Sequence, residues 1–454
     1  MFNEDTIAAI STSIGHSSIG IVRLSGINSI RITDKIFISP KKKSLKKASS
    51  HRIMYGHIIN SNKEIIDEVL VSVMRAPHTY TREDIVEINC HGGPVPLRRI
   101  LELVLKAGAK LAEPGEFTRR AFLNGRIDLA QAEAVLDVIN AMTEHSRKAA
   151  IEQLGGGLSR KTEAIRKDLI KLTAFVEAYI DFPEEDIEPP SLKNMKKMAL
   201  KIQNSLKRLV DSSQYGIILR EGVKTAIIGR PNVGKSSLLN ALLEQDRAIV
   251  TEVPGTTRDV IEDYLNIQGI PVKIMDTAGI RQVTNMAEKE GVKRSLRAIR
   301  DADLVLIVLD GNEDLHDTDR ELIKKSKREN TILVINKTDL AQKIRLKESD
   351  RQTVRVSALK GTGLNELKER IFETTLKGKS LFSTGVVTNT RHLYALEKAL
   401  VSINSFIEES TKKISPEFLS LELRDALDAI GEIIGITTSE DILNEVFSKF
   451  CIGK

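Results

Sequence analysis

The sequence predicts a multidomain protein: an α+β N-terminal domain, an all-α helical domain, and an α/β domain inserted into the helical one. Residues 217–378 alternate strand-like apolar runs with helical patterns, which is typical of a doubly wound sheet. On both sides of that segment, apolar residues recur at helical spacing instead. The first 120 residues mix short strand-like runs with one or two helices. Three different patterns therefore predict three domains.

The helical domain is predicted to be discontinuous, covering residues 121–216 and 379–454. The α/β domain, residues 217–378, lies between its two parts. Such an insertion is tolerated where the ends of the inserted unit lie close together. Within the first helical part, the acidic and proline-containing stretch 181–190 interrupts the periodicity. We expect that stretch to be an exposed loop.

The α+β domain is predicted to cover residues 1–120. Its strand-like runs lie at 19–24, 68–73 and 85–88, and a helical pattern covers residues 95–108. Two polar segments with glycine and charged residues follow or overlap these elements, and we interpret them as ligand-contacting turns. They are residues 87–93 and 114–120.

Composition indicates an ordinary globular protein, with 454 residues, 41% hydrophobic and 29% charged. No apolar run approaches the roughly 20 residues that cross a bilayer, and the acidic N-terminus differs from a signal peptide. The two cysteines make no disulfide framework, so we expect a reducing cytoplasm. A net charge of +6 favours polyanionic partners, while 4% aromatics disfavours base-stacking platforms. Any RNA would therefore be contacted through backbone and shape.

A complete phosphate-binding loop runs from Gly229 to Ser236. Its sequence, GRPNVGKS, fits the spacing G-x-x-x-x-G-K-S, and the apolar run 226–228 leads directly into it. The two glycines allow the backbone N–H groups to face a polyphosphate. Lys235 can reach the outer phosphates, and the hydroxyl of Ser236 can hold Mg²⁺. This loop predicts nucleotide binding.

The segment that selects the base is Asn336–Asp339, with the sequence NKTD, directly after the strand-like run 331–335. The Asp339 carboxylate can accept two hydrogen bonds from one edge of guanine, whereas adenine would leave that charge unmatched. Lys337 is expected to lie along the purine face. Backbone N–H groups at 357–358 are expected to close the pocket. Together with the phosphate loop, this segment predicts GTP.

Two further segments are expected near the γ-phosphate. Asp276, in the sequence DTAG, follows the strand-like run 272–275 and can hold Mg²⁺ through water. The Gly279 amide of the same motif can contact the γ-phosphate. Upstream, the GTTRD segment 255–259 offers a second hydroxyl for the metal, which we assign to Thr257.

These motifs leave the catalytic group open. The position after DTAG is Ile280, which cannot orient a water molecule. The polar segment that follows contains Glu288 and Glu290, and either can do so. Both are equally well explained as solvated surface charges.

The sequence also leaves open how negative charge in the transition state is neutralised, because no arginine is evident for that purpose. A bound monovalent cation can take this part. Asn232 offers a side-chain carbonyl for such a cation, and backbone carbonyls of Thr251, Val253 and Thr256 can complete its shell. Asparagine is also a common turn residue, and that explanation needs no cation.

These motifs together resemble the tRNA-modification GTPase family MnmE, also called TrmE. The matching features are GRPNVGKSS, GTTRD, DTAG followed by an aliphatic residue, and the terminal FCIGK at 450–454. VRLSG at 22–26, HGG at 91–93 and PGEFTRRAFLNGR at 114–126 are similar to the family as well. The resemblance runs from about residue 5 to residue 454.

The resemblance implies a folate-binding N-terminal domain that also forms a homodimer, a helical domain and an inserted P-loop GTPase domain. It implies a potassium-activated GTPase that forms a heterotetramer with a flavin-dependent partner. The complex would install a carboxymethylaminomethyl-type (aminomethyl) group on the wobble uridine of certain tRNAs. The implied cofactors are GTP, Mg²⁺, K⁺ and a formyl- or methylene-tetrahydrofolate as the one-carbon donor. FAD would come with the partner, because this chain has no dinucleotide fingerprint.

The resemblance also assigns residues. It favours Glu288 as the catalytic residue, supports Ser236 and Thr257 as Mg²⁺ ligands, and places Cys451 near the modification site. The implied K⁺ ligands are Asn232, Thr251, Val253 and Thr256, and the implied folate contacts are Arg23, Glu87, Arg126 and Lys454. The predicted GTP contacts are Asn232, Val233, Gly234, Lys235, Ser236, Ser237, Thr251, Glu252, Val253, Pro254, Gly255, Thr256, Thr257, Asp276, Thr277, Ala278, Gly279, Asn336, Lys337, Thr338, Asp339, Ser357, Ala358 and Leu359.

An alternative function is a GTP-switched RNA-binding factor for ribosome assembly, since related GTPases share GTTRD. The split helical domain and the terminal FCIGK favour tRNA modification instead. A GXXG loop in a small appended domain would favour the alternative, and the sequence after residue 378 contains none.

Overall fold

The computed structural model describes residues 5–181, 192–246, 263–275, 288–345, 352–376, 387–410, 412 and 416–454. The described residues up to Leu136 and from Ile434 onward form one compact unit. Those between Asp137 and Ile433 form the other. The three-domain division and its boundaries stay a prediction. The predicted exposed loop at 181–190 lies outside the described residues, except for its first position.

The first unit is built on a seven-stranded sheet in the order β3-β4-β5-β6-β2-β1-β7. Among these strands the pair β1 and β7 is parallel and the other neighbours are antiparallel. The predicted strands at 19–24, 68–73 and 85–88 are confirmed as β2, β5 and β6. The strands are β1 Ile7–Ile10, β2 Gly20–Ser25, β3 Phe37–Ile38, β4 Arg52–Ile59, β5 Ile65–Met74, β6 Ile85–Cys90 and β7 Lys110–Leu111.

Two helices, α1 Ser29–Ile36 and α2 Pro94–Lys106, pack on this sheet. Inward-facing residues of β2, such as Val22 and Leu24, share a buried cluster with Leu97 and Ile100 of α2. Helix α2 confirms the helical pattern predicted at 95–108. Pro94 suits its first turn, because the N–H groups there have no partner within the helix and proline has none.

Two predicted turns are wrong. Residues 116–120, expected to be part of a turn, begin helix α3 Glu116–Leu123. Gly115 has a left-handed φ of +68°, and the chain enters the helix directly after it. Residues 87–90 belong to β6, so the turn that follows begins at His91. The glycines mark where these elements start or end, and the polar residues beside them lie within regular structure.

The first unit also contains helix α4 Leu129–Ile139 as far as Leu136 and a C-terminal helix, Glu440–Ser448. Their apolar residues pack with α3 in a cluster that includes Ala121, Leu129 and Phe447. The predicted helical patterns on both sides of the α/β segment therefore contribute to a common core in this unit.

The second unit contains a six-stranded sheet in the order β13-β12-β11-β8-β10-β9. Five strands run parallel to one another, and β9 is an antiparallel edge strand beside β10. The five predicted strands are confirmed within a few residues, and β9 is an addition. The strands are β8 Val223–Ile228, β9 Asp263–Ile267, β10 Ile270–Ile274, β11 Leu304–Asp310, β12 Thr331–Asn336 and β13 Gln352–Arg355.

Apolar clusters cover both faces of this sheet. Strand β11 is buried along its whole length, as expected for a central parallel strand. The helices of the sheet domain are α8 Lys235–Asp246, α9 Glu288–Asp301, α10 Asp317–Lys325 and α11 Leu364–Leu376.

Long helices surround this sheet domain in sequence, as the helical periodicity predicts. They are α5 Glu144–Leu154, α6 Gly157–Asp181, α7 Leu192–Glu221, α12 Thr390–Glu409 and α13 Pro416–Ile434, followed by α14, the Glu440–Ser448 helix of the first unit. Among the described residues, no helix has the length and apolar character needed to span a membrane.

The turn between β9 and β10 packs against the start of α5. The Thr143 hydroxyl donates to the carbonyl of Gly269 at 2.7 Å. Thr143 also caps α5, and the Ser146 hydroxyl donates to the carbonyl of Leu219 in α7 at 2.6 Å. The β9–β10 hairpin is therefore joined by a hydrogen bond to the start of α5, which is itself bonded to α7.

Candidate functional site

The phosphate loop connects β8 to α8 through a backbone that glycine makes possible. Gly229, Asn232 and Gly234 have φ values of +149°, +62° and +95°. A Cβ atom on Gly229 would lie 2.3 Å from the carbonyl oxygen of Val308. Left-handed backbone and close approach therefore exclude a side chain there. The loop ends at the N-terminus of α8, where unpaired N–H groups favour an anion.

Lys235 opens α8 and turns back over its own loop. Its ammonium donates to the carbonyls of Gly229 at 3.0 Å and Arg230 at 2.7 Å. Burial lowers the pKa of this lysine. A phosphate placed beside it would raise this pKa again, because an opposite charge favours the ionised form.

Arg230, at the second position of the loop, bonds carboxylates of the protein itself. Its Nε and Nη2 atoms each lie 2.9 Å from an oxygen, of Asp319 and Glu313 respectively. Burial alone would lower the pKa of Arg230, but the two carboxylates have the larger effect, and the pKa is raised. The arginine therefore fixes the loop to α10.

The base-selecting segment and the phosphate loop meet at Asn336, which is 2% exposed. Its Nδ2 donates to the carbonyl of Val233 at 2.9 Å, and its Oδ1 accepts from the N–H of Ala358 at 3.0 Å. The Ser357 hydroxyl donates to Asp339 at 2.5 Å. That bond, helped by a backbone N–H, lowers the pKa of Asp339, so its carboxylate stays ionised and accepts hydrogen bonds.

The other predicted GTP contacts differ in their exposure, and many of them lie outside the described residues. The N–H of Thr338 donates to the carbonyl of Val356, and the Leu359 side chain is 84% exposed. Ser236 is half-buried in the first turn of α8, while Asn232 and Ser237 are exposed. Outside the described residues lie Thr251, Glu252, Val253, Pro254, Gly255, Thr256, Thr257, Asp276, Thr277, Ala278 and Gly279. Glu288 is the first residue of α9, and its side chain is likewise outside the description.

Two of the predicted folate contacts form a cross-strand ion pair. Arg23 of β2 stands opposite Glu87 of β6, and its Nε and Nη2 both lie 2.8 Å from Oε1 of that glutamate. Among the described residues, Oε2 of Glu87 has no hydrogen-bond partner. The pair is about one-fifth exposed, so one carboxylate oxygen can still accept bonds from a ligand.

Arg126, a third predicted folate contact, stacks on an aromatic ring. Its guanidinium lies 4.7 Å from the ring centroid of Tyr80, and no carboxylate pairs with it among the described residues. Burial raises the pKa of Tyr80, and the charges of Arg126 and Arg23 oppose that rise. Both arginines therefore act on one phenol. Arg126 and Tyr80 line a cavity of about 410 Å³ together with His51, Met74, Pro77, His78, Thr79 and Arg82.

The C-terminal segment contacts Arg23 of the Arg23–Glu87 ion pair. The Gly453 carbonyl accepts from Arg23 at 3.4 Å and from Ser11 at 3.1 Å. Ile452 forms a β-bridge with Pro114. Lys454 is half-buried, and Cys451 is exposed with a free thiol.

Residue patterns alone missed Tyr80 and Asp310. Asp310 bonds Lys337 of the base-selecting segment at 2.5 Å. One signal was available for it: a carboxylate ends the apolar run 304–309 and a glycine follows. Tyr80 carried no such signal, because its contact with Arg126 depends on the folded structure.

The doubly wound sheet, the glycine-shaped loop and the guanine-type acceptor define a P-loop GTP-binding protein. Two family models match the chain, the MnmE helical domain over residues 129–451 and the GTP-binding protein TrmE N-terminus over residues 6–126. The chain belongs to the MnmE family of tRNA modification GTPases and is a GTP hydrolase.

Relatives match over the full length. The tRNA modification GTPase MnmE of Thermoanaerobacter pseudethanolicus is 50% identical over 457 residues, covering 99% of each chain. That of Alkaliphilus oremlandii is 48% identical over 461 residues, covering 100% of each. Among solved structures, the G domain of the T. maritima iron transporter FeoB is 29% identical, covers 34% of this chain and 98% of that one, and has a TM-score of 0.25. The family assignment rests on the full-length relatives.

Proposed function

We propose that this GTPase acts in modification of the tRNA wobble uridine and draws its one-carbon unit from a folate bound in the first unit. The function has two parts, a GTP site in the second unit and a folate pocket on the seven-stranded sheet. The observation that carries the second part is the Arg23–Glu87 pair beside the C-terminal segment. Formyl- or methylene-tetrahydrofolate is the proposed donor.

In the GTP site, the amides of the phosphate loop and α8 would hold the phosphates, and Lys235 would exchange its carbonyl partners for them. Asp339 would accept two bonds from guanine, supported by Ser357. Ser236 and Thr257 would supply hydroxyls to Mg²⁺, which neutralises charge on the phosphates. The half-buried place of Ser236 in the first turn of α8 supports this assignment.

Potassium activation is the second element of the proposal. Asn232 is exposed and left-handed, with φ +62°, inside the phosphate loop. Its carbonyl would bind K⁺ with backbone oxygens of Thr251, Val253 and Thr256. Glu288, at the start of α9, would orient the attacking water.

The folate pocket is supported by chemistry as well as by position. A pterin ring presents adjacent N–H donors, and the free oxygen of Glu87 can accept one of them. Arg126, which no carboxylate pairs with among the described residues, lies beside a cavity of about 410 Å³, and a guanidinium binds carboxylates in bidentate fashion. Lys454, half-buried at the C-terminal segment, would add a second positive charge.

We infer that a second copy of the chain covers the outer face of β4 and β5. Tyr55 and Leu70 are cross-strand partners on that face, 48% and 47% exposed, and Ile53 beside them is 66% exposed. Adjacent large apolar side chains on an open sheet favour association. Leu70→Glu should convert dimer to monomer in sedimentation, whereas Leu111→Glu, at an exposed leucine of β7, should not.

The flavin-dependent partner and tRNA complete the proposal. The partner would bring FAD and form a heterotetramer with this dimer. Reduced cysteines, Cys90 buried and Cys451 exposed, agree with action in the cytoplasm. Cys451 would lie near the modification site, since it directly precedes the segment that contacts Arg23.

Nucleoside analysis of tRNA tests the function as a whole. Cells lacking this chain should lose the modified wobble uridine and regain it with the wild-type gene. Unchanged wobble uridines would exclude the modification and favour the ribosome-assembly alternative.

Calorimetry with 5-formyltetrahydrofolate tests the pocket separately. Glu87→Gln and Arg126→Ala should each weaken binding by roughly tenfold or more, since each removes a charge-assisted bond. Glu102→Gln on the exposed face of α2 is the matched control and should bind normally. Wild-type affinity in both pocket variants would place the folate elsewhere.

A further inference from the structure

Asp310 is the charged residue that ends the buried strand β11. Its relative exposure is 6%, and the six residues before it are all apolar and buried. Two partners satisfy its carboxylate, the ammonium of Lys337 at 2.5 Å and the N–H of Asn312 at 2.9 Å. Because an unpaired buried carboxylate is costly, the position of this acid depends on Lys337.

Lys337 in turn has a backbone that lysine seldom adopts. Its φ is +63°, a left-handed conformation that is unfavourable for an L-residue. Neighbouring bonds hold it there. The Gln342 amide donates to the Lys337 carbonyl at 3.0 Å, and the N–H of Leu340 donates to the same oxygen at 3.1 Å.

Gly311, the residue after Asp310, is bonded directly to the base-selecting segment. Its N–H donates to the carbonyl of Asn336 at 2.9 Å. A Cβ on Gly311 would lie 2.9 Å from the backbone carbonyl oxygen of Asn336, so a side chain there would press on the base-selecting segment. Asp310 and Gly311 therefore support that segment from the end of one strand.

We propose that Asp310 is a positioning residue for guanine-nucleotide binding, acting through Lys337. The ion pair fixes the ammonium against β11, so the methylene stem of Lys337 is the part that a purine ring can lie on. A stem held in advance loses less conformational entropy when the nucleotide binds. Asp310 itself does not touch the nucleotide. The inference rests on the proposed contact between Lys337 and the purine.

This role differs from that of Asp339. Asp339 selects guanine by accepting its N–H groups, and its own partner is Ser357. Loss of Asp310 should weaken every nucleotide that stacks on Lys337, inosine nucleotides included. Loss of Asp339 should weaken GDP far more than IDP, because IDP lacks the exocyclic amine.

The experiment is titration of the full chain with a fluorescent GDP and a fluorescent IDP. Asp310→Asn should raise the Kd for both by roughly tenfold, because the Lys337 side chain must then be ordered when the nucleotide binds, and leave kcat at saturating GTP within about twofold. Lys337→Met should weaken both nucleotides as well. Asp314→Asn, an exposed acid in the same loop, is the matched control and should bind normally.

The double variant Asp310→Asn/Lys337→Met decides whether the two residues act together. It should bind GDP no more weakly than Lys337→Met alone. It also carries no buried unpaired charge, so it provides the test if Asp310→Asn fails to fold. In that case, a double variant much weaker than Lys337→Met would overturn the proposal.

Two other outcomes distinguish failure of the positioning role of Asp310 from failure of the proposed contact between Lys337 and the purine. If Lys337→Met binds normally, the purine contact fails and the inference fails with it. If Lys337→Met is weak while Asp310→Asn binds GDP like the wild type, Asp310 has no positioning role and the purine contact stands. If Asp310 had only a structural role, Asp310→Asn would lower the thermal stability of the nucleotide-free protein and leave both Kd values unchanged.

Discussion

Gly234 and Asn336 approach so closely that a Cβ atom on Gly234 would stand 2.2 Å from Nδ2 of Asn336. One residue belongs to the phosphate loop and the other to the base-selecting segment. The same amide bonds Val233 and Ala358. The phosphate loop and the base-selecting segment are therefore joined by one buried side chain, and a side chain at Gly234 would displace the Asn336 amide.

Gly234→Ala should lower GTP affinity by more than roughly tenfold, because the new methyl displaces an amide whose two buried bonds are worth about 1 kcal/mol each. The left-handed φ of +95° adds strain. Gly361→Ala is the matched control, since Gly361 has φ +72° and the nearest atom to its Cβ position lies at 4.0 Å. Fluorescent-nucleotide titration should find affinity lost in the first variant and kept in the second. Similar losses in both would mean that strain alone is responsible.

GTP hydrolysis should be faster in KCl than in NaCl by roughly tenfold or more, as expected when a cation neutralises transition-state charge. Asn232→Gly separates the two explanations of Asn232. Glycine keeps the left-handed turn, so GDP binding should survive, and it removes the side-chain carbonyl, so potassium stimulation should disappear. Full stimulation in Asn232→Gly would mean that Asn232 is a turn residue and no ligand.

Glu288→Ala should keep GTP affinity and lose turnover by roughly 100-fold, the usual worth of a group that orients the attacking water. Glu290→Ala is the control two residues further along α9 and should hydrolyse GTP normally. Single-turnover hydrolysis in KCl measures both. The reverse pattern would transfer the role to Glu290.

Gly269→Ala should weaken the attachment of the β9–β10 hairpin to α5. The residue has φ +89°, and its Cβ would lie 2.1 Å from Nδ1 of His145. The backbone alone costs about 1–2 kcal/mol. Hydrogen exchange at the β9 and β10 amides should accelerate in Gly269→Ala and partly recover when His145→Ala is added. No recovery would assign the whole effect to the backbone.

The second unit was predictable because its strands are short apolar runs between helical patterns. Strand β11 is buried along its length, and a fully buried strand needs no alternation to be recognised. Strand β9, at the sheet edge, has only five residues, two of them Asp263 and Asn266. Helix α3 was missed because glycine and charged residues are typical of turns as well as of helix starts.

Within the site, spacing located the phosphate loop and the base-selecting segment, because both motifs are continuous in sequence. The partners that hold them are not. Arg230 meets Asp319 across 89 positions, and Asn336 meets Val233 across 103. Such pairs follow from strand order, which single-sequence patterns do not specify. For the same reason, the contact between Tyr80 and Arg126 could not be predicted from the sequence.

The contact between Arg23 and Gly453 spans 430 positions of the chain. During synthesis, the seven-stranded sheet can be complete long before residue 453 is made, since N-terminal regions generally fold first. Arg23 and Glu87 would then face each other without the carbonyl that later holds the arginine. A translation product cut short in the second unit would thus carry a folded sheet in which the Arg23 side chain lacks its C-terminal acceptor.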